Sequence, residues 1–194
     1  MLINYSQDLP LYIIGNGVVV DGLKEYIAEE TTGTIETILK EDYYALPDHS
    51  QVIVGFWNYE YRLEFFKTAF LAPMRWISYI HPMAFVAESA HIGQGTAVYP
   101  MATISNDVIV KDQCMIGCNT HIGHGTTLGF NNLMAPGTII GGSTELGDNI
   151  YMGMNNSIKD KIFVCDNVKF NMASRVSKNV SQSGTYDGNR RLHD

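Results

Sequence analysis

The sequence predicts a chain of two parts, an α/β segment over residues 1–80 and an all-β parallel β-helix over residues 81–194. Two observations predict the β-helix: a large apolar residue recurs at every sixth position from Val86 to Val176, and a small residue often follows it four places later. A third observation predicts the first part, because short apolar runs alternate with segments of helical spacing before residue 80.

The six-residue column contains no polar residue. Its members are Val86, Ile92, Val98, Ile104, Val110, Ile116, Ile122, Leu128, Met134, Ile140, Leu146, Met152, Ile158, Val164, Phe170 and Val176. An α-helix needs apolar spacing near 3.6 residues, and a half-buried strand of an open sheet needs alternation. Period six is typical of short strands joined by turns, three to a triangular coil, with about five coils stacked roughly 4.8 Å apart.

A second column of small residues is expected to point into the same prism. It consists of Ala90, Thr96, Ala102, Cys114, Thr120, Thr126, Thr138, Thr144 and Ser174. The residue directly after the large one is often glycine, at Gly93, Gly117, Gly123, Gly129, Gly141, Gly147 and Gly153. Glycine adopts backbone angles that a Cβ would strain, so we expect these glycines to make the turns.

The composition argues against nucleic-acid binding and against a membrane or secreted protein. The 194 residues are 45 % hydrophobic and carry a formal net charge of −7, with only 13 Lys and Arg. These cations are scattered, which argues against a nucleic-acid surface. The N-terminus has no signal-peptide pattern and no run reaches the roughly 18 apolar residues of a membrane span, so we expect a cytoplasmic protein. Cys114, in the small column, predicts a buried thiol in a reducing compartment.

The first eighty residues show alternating elements. Strands are predicted at Leu11–Ile14, Thr34–Leu39, Gln51–Val54 and Trp76–Ile80, and helices at Asp21–Glu29 and Tyr59–Phe70. This order predicts a small parallel αβ unit.

Three strand ends of this unit carry residues suited to a phosphate-bearing ligand. The first strand ends in a glycine-rich turn before a helix, Gly15, Asn16 and Gly17, although Val20 replaces the third glycine of a dinucleotide fingerprint. Lys40 and Glu41 follow the second strand and Gly55 follows the third. Since ligands of parallel sheets bind at the carboxyl ends of strands, a nucleotide pocket is one interpretation and a structural turn is the other.

Two histidines lie in the middle of the repeat, His121 and His124. The third place of its hexad puts His124 on the outside of the prism. One coil is 18 residues, so Gly142 is expected directly above it, with its backbone N–H open to a ligand. A general base beside an oxyanion donor suits acyl transfer. The alternative is a surface histidine without a role.

A further alternative is a zinc ion bound by three histidines. The candidates are His91, His121 and His124, but His91 and His121 are five hexads apart and are expected on different faces. No metal site is therefore predicted.

Several stretches together resemble a known family. They are Tyr12–Gly15, Val52–Gly55 followed by Arg62, Ile80–Pro82, Asn119–His124 and Gly188–Asn189. The chain resembles the hexapeptide-repeat acyltransferases, and within them the sugar acetyltransferases that begin with a Rossmann-like domain. Those enzymes N-acetylate nucleotide-linked 4-amino-4,6-dideoxy sugars, and their relatives O-acetylate sialic acids. The His121–His124 stretch also resembles that of lipid A acyltransferases.

The resemblance implies a left-handed β-helix after an N-terminal Rossmann-like domain. It further implies that His124 is the general base, that the N–H of Gly142 holds the oxyanion or thioester oxygen, and that Gly142, Met154 and Met172 contact acetyl-CoA, the cosubstrate. The nucleotide-linked amino sugar would lie against Gly15, Asn16, Gly17, Lys40, Glu41 and Gly55. The family works in polysaccharide biosynthesis as a homotrimer, with each active site between neighbouring prisms and without a metal.

The chain differs from the family at four places. The glycine turn after the first strand is shorter than the common form, and the acidic pair after the second strand reads Lys40-Glu41. The other two differences lie in the repeat and in the tail. Gly125 follows His124 where an Asp or Glu is usual, and the tail reads Gly188-Asn189-Arg190-Arg191 where the family has Gly-Asn-Pro-Ala. Two other functions therefore stay open: a sugar O-acetyltransferase of the sialic-acid type, and a non-catalytic β-helix scaffold.

Overall fold

The computed structural model describes residues 1–192 and divides into two units, Met1–Ile80 and a second that begins at His81. Residues 193 and 194, the end of the predicted second domain, lie outside the described residues. Within residues 1–192, no helix has both the length and the apolar character needed to cross a membrane.

The first unit contains six short strands, two α-helices and two 3-10 helices. In chain order these are β1 (Leu2–Ile3), β2 (Leu11–Ile14), α1 (Val18–Ala28), β3 (Ile35–Ile38), a 3-10 helix (Lys40–Ala45), β4 (Gln51–Val54), α2 (Tyr59–Phe66), a 3-10 helix (Ala69–Leu71), β5 (Arg75–Trp76) and β6 (Ser78–Ile80). The predicted strands Leu11–Ile14 and Gln51–Val54 are confirmed. The helix predicted over Tyr59–Phe70 ends four residues early, at Phe66.

Four of these strands form a small parallel sheet in the order β3-β2-β4-β5. Strand β1 pairs separately with β6, antiparallel, with Leu2 opposite Tyr79. Central strand β4 is buried along its whole length. Helix α1 covers the sheet with Val20, Leu23 and Ile27, because those three residues fall on one helical face.

The prediction of an N-terminal Rossmann-like α/β domain is wrong. The chain is dominated by its β-solenoid, and the first unit has α-helices of only 11 and 8 residues. The connection from β3 to β4 contains no α-helix, only the 3-10 helix Lys40–Ala45. That segment is too short to form several α-helical turns before Pro47, whose ring prevents the helix from continuing.

The second unit consists of short strands spaced six residues apart. The strands are β7 (Phe85–Val86), β8 (His91–Ile92), β9 (Ala97–Val98), β10 (Thr103–Ile104), β11 (Ile109–Val110), β12 (Met115–Ile116), β13 (His121–Ile122), β14 (Thr127–Leu128), β15 (Leu133–Met134), β16 (Ile139–Ile140), β17 (Glu145–Leu146), β18 (Tyr151–Met152), β19 (Ser157–Ile158), β20 (Phe163–Val164), β21 (Val168–Phe170), β22 (Arg175–Val176), β23 (Gly184–Asp187) and β24 (Arg190–Arg191).

These strands form the three faces of a parallel β-helix, as the period predicted. Face 1 contains β9, β12, β15, β18 and β21; face 2 contains β7, β10, β13, β16, β19 and β22; face 3 contains β8, β11, β14, β17 and β20. Residues 18 apart pair between coils, such as His121 with Ile139. Strand β23 continues face 1 beside β21, and β24 returns antiparallel to β23.

The two predicted inward columns form the core of this unit. From Val98 to Val176, every member of the large column is at most 3 % exposed, and only Val86 and Ile92 at the first coil are half-buried. The small column is buried from Thr96 onward, and its threonine hydroxyls donate to backbone carbonyls of the next coil. Thr126 Oγ1, for example, donates to the carbonyl oxygen of Gly141 at 3.1 Å.

The glycines that follow the large column do not make the turns through unusual backbone angles, and that prediction is wrong. None of the seven has a positive φ; the left-handed position lies two residues later, where eleven non-glycine residues have φ between 54° and 64°. The glycines are needed because the next coil passes close by. A Cβ at Gly123 would lie 2.6 Å from the backbone nitrogen of Gly142.

Candidate functional site

His124 lies in the turn between β13 on face 2 and β14 on face 3, and its side chain is exposed. We call this edge of the prism, built from the turns that join face 2 to face 3, the His124 corner. Backbone hydrogen bonds fix it from both neighbouring coils: Ser143 N–H donates to the His124 carbonyl at 2.7 Å, and Gly125 N–H donates to the Asn106 carbonyl at 3.0 Å. Gly125 has φ +62°, the left-handed conformation of this turn position.

Gly142 lies one coil above His124, as the 18-residue period predicts, and the imidazole packs directly on it. A Cβ at Gly142 would lie 2.7 Å from Nε2 and 2.9 Å from Cε1 of His124. Both distances are shorter than real Cβ atoms make, so a side chain at position 142 would push the imidazole from this place. The backbone of Gly142 therefore forms one wall of the space beside the ring.

The N–H of Gly142 makes no hydrogen bond among the residues that the structure describes. On the edge between face 3 and face 1, the equivalent N–H groups of Gln94, Phe130 and Asp148 are each capped by an aspartate one coil later. Gln94 N–H donates to Asp112 Oδ1, and Phe130 N–H donates to Asp148 Oδ1, both at 2.8 Å. Asp160 occupies the corresponding place above Gly142 but accepts no such bond, so an open donor lies beside an exposed imidazole.

The other histidines of the repeat lie in strands on the faces of the prism, not in a turn of the His124 corner. His121 is exposed in β13 on face 2, whereas His91 is exposed in β8 on face 3. Within residues 1–192, no group of three or more His, Cys, Asp or Glu side chains is arranged to hold a metal ion.

Met154 and Met172 are stacked on a different edge of the prism. They lie in the turns that follow β18 and β21, between face 1 and face 2, and are 47 % and 61 % exposed. They lie one coil apart, and the backbone nitrogen of Met172 would be 2.7 Å from a Cβ at Gly153. A single chain therefore does not bring the methionine pair and His124 to the same corner, because face 2 lies between them.

A cavity of about 350 Å³ in the first unit contains most of the predicted nucleotide residues. It is lined by Gly15, Asn16, Leu39, Lys40, Glu41, Phe56 and Tyr61. The Lys40 ammonium lies 4.7 Å from the centre of the Tyr61 ring and 3.9 Å from Glu41 Oε1. An aromatic ring beside a cation at strand ends suits a nucleotide, whose base stacks and whose phosphates are anionic.

The three glycines predicted for this pocket have different positions. Gly15 lines the cavity with φ +129°, and a Cβ there would lie 3.0 Å from Val20 Cγ2. Gly17 and Gly55 are not among the lining residues. Gly17 is the N-cap of α1 with φ +86°, and Gly55 is buried so closely that a Cβ would lie 2.9 Å from Ile13 Cγ2.

Leu39, Phe56 and Tyr61 were missed as cavity residues. The available signal was Asn58, whose side chain accepts the N–H of Tyr61 at 2.8 Å and caps α2 at the edge where β4 ends. That cap puts the first turn of α2, with the exposed Tyr61, beside the other strand ends. The pKa of Glu64 in α2 is lowered, mainly by a hydrogen bond from Lys67 and by the charge of Lys67. The charge of Lys40 lowers this pKa further.

Solved structures of acetyltransferases share this architecture. The acetyltransferase domain of PglB from Neisseria gonorrhoeae superposes with a TM-score of 0.84 at 21 % identity, over 91 % of this chain and 95 % of that domain. A second structure of that domain, in complex with acetyl coenzyme A, superposes with a TM-score of 0.82 at 21 % identity, over 91 % of this chain and 94 % of that one.

Two further proteins superpose over a similar length. PerB from Caulobacter crescentus, in complex with CoA and GDP-perosamine, has a TM-score of 0.79 at 17 % identity, covering 91 % of this chain and 92 % of PerB. WeeI from Acinetobacter baumannii has a TM-score of 0.78 at 15 % identity, covering 93 % and 97 %. No protein-family model and no curated protein sequence matches the chain. At these identities the comparisons show the fold, and the chain has the β-helix fold of the PglB, PerB and WeeI structures.

Proposed function

We propose that this protein transfers an acetyl group from acetyl-CoA to the amino group of a nucleotide-linked 4-amino-4,6-dideoxy sugar. The observation that carries the proposal is the open N–H of Gly142 beside the exposed imidazole of His124. The shared fold supports it, since structural neighbours include an acetyltransferase domain with acetyl-CoA and a perosamine N-acetyltransferase with CoA and GDP-perosamine.

In the proposed reaction, the sugar amine attacks the thioester carbonyl carbon while His124 accepts the proton that the nitrogen loses. The carbonyl oxygen becomes negatively charged and accepts a hydrogen bond from the Gly142 N–H. The carbon–sulfur bond then breaks, and the leaving sulfur takes the proton from the imidazolium. A positioned base typically contributes 10²- to 10⁴-fold and an oxyanion donor about 10²- to 10³-fold.

The nucleotide of the acceptor is proposed to bind in the cavity of the first unit. Tyr61 and Phe56 would stack against the base, and Lys40 would pair with a phosphate. Gly15 supports this use because the absence of a side chain lets a ligand approach its backbone.

We further propose that the active form is a homotrimer, with acetyl-CoA bound between neighbouring prisms. The placement of the methionines supports it: Met154 and Met172 lie on a different corner from His124, so both sets contact one cosubstrate only if two chains contribute. Light scattering of the purified protein tests the trimer directly.

Turnover of acetyl-CoA against a panel of nucleotide-linked amino sugars, followed by thiol release and product mass, tests the reaction. We expect an acetylated product that survives mild base, as an amide does; loss of the acetyl group in base would assign O-acetylation. His124→Ala is expected to lower kcat by 10²-fold or more, as loss of a general base does, while His121→Ala in the preceding strand serves as the control. Wild-type rates for His124→Ala, or no turnover with any acceptor, contradict the proposal.

A further inference from the structure

The imidazole of His124 has no hydrogen-bond partner between residues 1 and 192. An imidazole that accepts a proton through one ring nitrogen carries its own proton on the other, and the hydrogen bond that this N–H donates fixes the tautomer and the orientation of the ring. Residue 125, the next in the chain, is glycine and has no side-chain acceptor. The nearest source of an acceptor is therefore a neighbouring coil.

Gly142 determines which ring nitrogen needs this acceptor. Nε2 of His124 is the ring atom closest to the place of a Cβ on Gly142, at 2.7 Å, whereas Nδ1 is not among the three closest atoms. Nε2 therefore lies beside the N–H that is proposed to hold the oxyanion, and it is the nitrogen placed to take the proton of the amine. In the neutral ring Nδ1 then carries the proton, and its N–H needs an acceptor away from Gly142.

Asn106 lies one coil below His124 at the same corner. It belongs to the turn between β10 and β11, and strand β10 pairs in parallel with β13. The Gly125 N–H donates to the Asn106 carbonyl at 3.0 Å, which holds the two turns together. The side chains of Asn106 and His124 are both exposed. Asn106, His124 and Gly142 thus follow one another along this corner, one in each coil.

Asp107 determines which end of the Asn106 amide is available. Asn106 Nδ2 donates to Asp107 Oδ2 at 3.1 Å. An ionised carboxylate only accepts hydrogen bonds, so the NH2 group of the amide faces Asp107. The backbone of Asp107 is held in turn, because its N–H donates to Ser89 Oγ in the coil below at 3.0 Å. The amide oxygen of Asn106, Oδ1, is left to accept a hydrogen bond from another group.

The separation of the two side chains suits such a bond. Nδ1 of a histidine and Oδ1 of an asparagine are each attached to Cγ, so in stacked residues they lie at similar distances from the backbone. Neighbouring coils are about 4.8 Å apart. Rotation of these exposed side chains about their Cα–Cβ and Cβ–Cγ bonds brings the two atoms to the roughly 2.9 Å of an N–H···O hydrogen bond.

We propose that Asn106 is a positioning residue for the reaction: its Oδ1 accepts the Nδ1–H of His124, while Asp107 holds the amide in the orientation that allows this bond. The inference rests on the proposed function, because it takes His124 as the general base. The bond leaves Nε2 without a proton beside Gly142. During turnover the proton of the amine enters and leaves the ring through Nε2, and Asn106 exchanges none.

Heteronuclear NMR of the full-length protein, labelled in its histidine nitrogens, tests the proposal without turnover. The two neutral tautomers of an imidazole differ in the chemical shifts of Nδ1 and Nε2, and the His124 signals are identified by their absence from His124→Gln. At a pH where the ring is neutral, we expect the Nδ1–H tautomer in wild type. Asn106→Ala is expected to change it to the Nε2–H tautomer, which histidine prefers in water.

Steady-state kinetics provide the second measurement. We expect Asn106→Ala to lower kcat about 10-fold or more and to leave the KM of both substrates within about 2-fold, since the ring loses its orientation and no substrate contact is removed. Gly125→Asp, added to Asn106→Ala, is expected to restore part of kcat by placing a carboxylate beside the ring. Position 125 accommodates it: Asp107 has φ 56° at the same place one coil below, and a Cβ at Gly125 would meet only Ser143 Oγ, at 3.7 Å.

Two further variants serve as controls. Glu88→Ala removes an exposed, charged side chain from the same corner, two coils below His124, and its kcat is expected to stay within about 2-fold of wild type. Ser143→Ala removes a hydroxyl of the coil above, and the tautomer of His124 is expected to stay unchanged.

The same tautomer in wild type and Asn106→Ala, or a change of tautomer in Ser143→Ala, overturns the proposal. If Asn106→Ala changes the tautomer but no acceptor is acetylated by the wild-type protein, Asn106 orients the ring and the proposed function fails. Acetylation by Asn106→Ala at the wild-type rate has the opposite meaning.

Discussion

The imidazole of His124 lies against the backbone of Gly142, its counterpart one coil later. A Cβ at Gly142 would lie 2.7 Å from Nε2, so the identity of residue 142 sets the position of the ring. The same glycine presents an N–H that no described residue uses and accepts a hydrogen bond from Lys161 through its carbonyl. One small residue thus connects the proposed base with the proposed oxyanion donor.

Gly142→Ala is expected to lower kcat at least 10-fold while the protein keeps its fold. The added methyl pushes the imidazole from its position, and a misplacement of about 1 Å can cost about 10²-fold. The backbone N–H at position 142 is retained in this variant. A lower kcat would therefore result from the displaced imidazole and not from a missing oxyanion donor. Steady-state kinetics with acetyl-CoA and circular dichroism provide the measurement.

The matched control for this variant is Gly22→Ala. Gly22 lies in α1, where an added Cβ would have no neighbour within 4 Å. Its activity should be unchanged and its free energy of unfolding higher by about 0.5–1 kcal/mol, since alanine is the better helix former. Equal kcat for Gly142→Ala and wild type would mean that the ring position does not matter for turnover.

The sequence period predicted the β-helix well because one side-chain pattern is repeated sixteen times and each inward position has the same packing requirement. It also predicted that Gly142 lies over His124, since coil stacking follows from counting. Counting residues did not predict why glycine follows the large apolar residue in so many repeats. Gly123 is required by the backbone of Gly142, a contact between coils that no local pattern encodes.

The first unit was predicted less well because each of its elements occurs only once, so no repeated pattern supports the assignment. Its strand positions were visible from short apolar runs, but the 3-10 helix Lys40–Ala45 after β3 was not predicted, because six residues are too few to show a helical spacing. The start of α2 at Tyr59 was predicted, but Tyr61 was missed because the helical spacing does not specify which side of α2 lines the cavity.

Ala173→Gly is expected to raise the free energy of unfolding by about 0.5–1 kcal/mol. Ala173 is exposed with φ +56°, in the left-handed region that costs an L-residue about 1–2 kcal/mol. Glycine removes this strain, and the gain exceeds the extra entropy that glycine loses on folding. Urea unfolding of both proteins gives the comparison. A lower midpoint for Ala173→Gly than for wild type would contradict the role assigned to this turn position.

Tyr61→Ala is expected to raise the KM for the nucleotide sugar about 10-fold and to leave kcat within about 2-fold. Stacking of a base on an aromatic ring is worth about 1–3 kcal/mol, and Tyr61 lines the cavity of the first unit, whereas the proposed base and oxyanion donor belong to the second unit. Tyr44→Ala is the control, because Tyr44 is a similarly exposed tyrosine of the same unit that is not among the cavity residues. Equal KM values for the two variants would show that Tyr61 does not contact the nucleotide.

The three cysteine thiols are expected to react slowly with thiol reagents in the folded protein. Cys114 is fully buried and its Sγ lies 3.2 Å from the carbonyl oxygen of Gly129. Burial raises the pKa of Cys118, and burial followed by the charge of Asp166 raises the pKa of Cys165. A raised pKa lowers the thiolate fraction at a given pH, and the thiolate is the reactive form.

Alkylation by iodoacetamide, followed by mass spectrometry between pH 7 and 10, measures this reactivity. Cys118 and Cys165 should be modified more slowly than free cysteine near pH 8, and the difference should shrink as the pH rises past the raised pKa values. All three thiols should react at the rate of free cysteine in urea, where burial is lost. Modification of Cys118 at the free-cysteine rate at pH 8 in the native protein would show that its thiol is not desolvated.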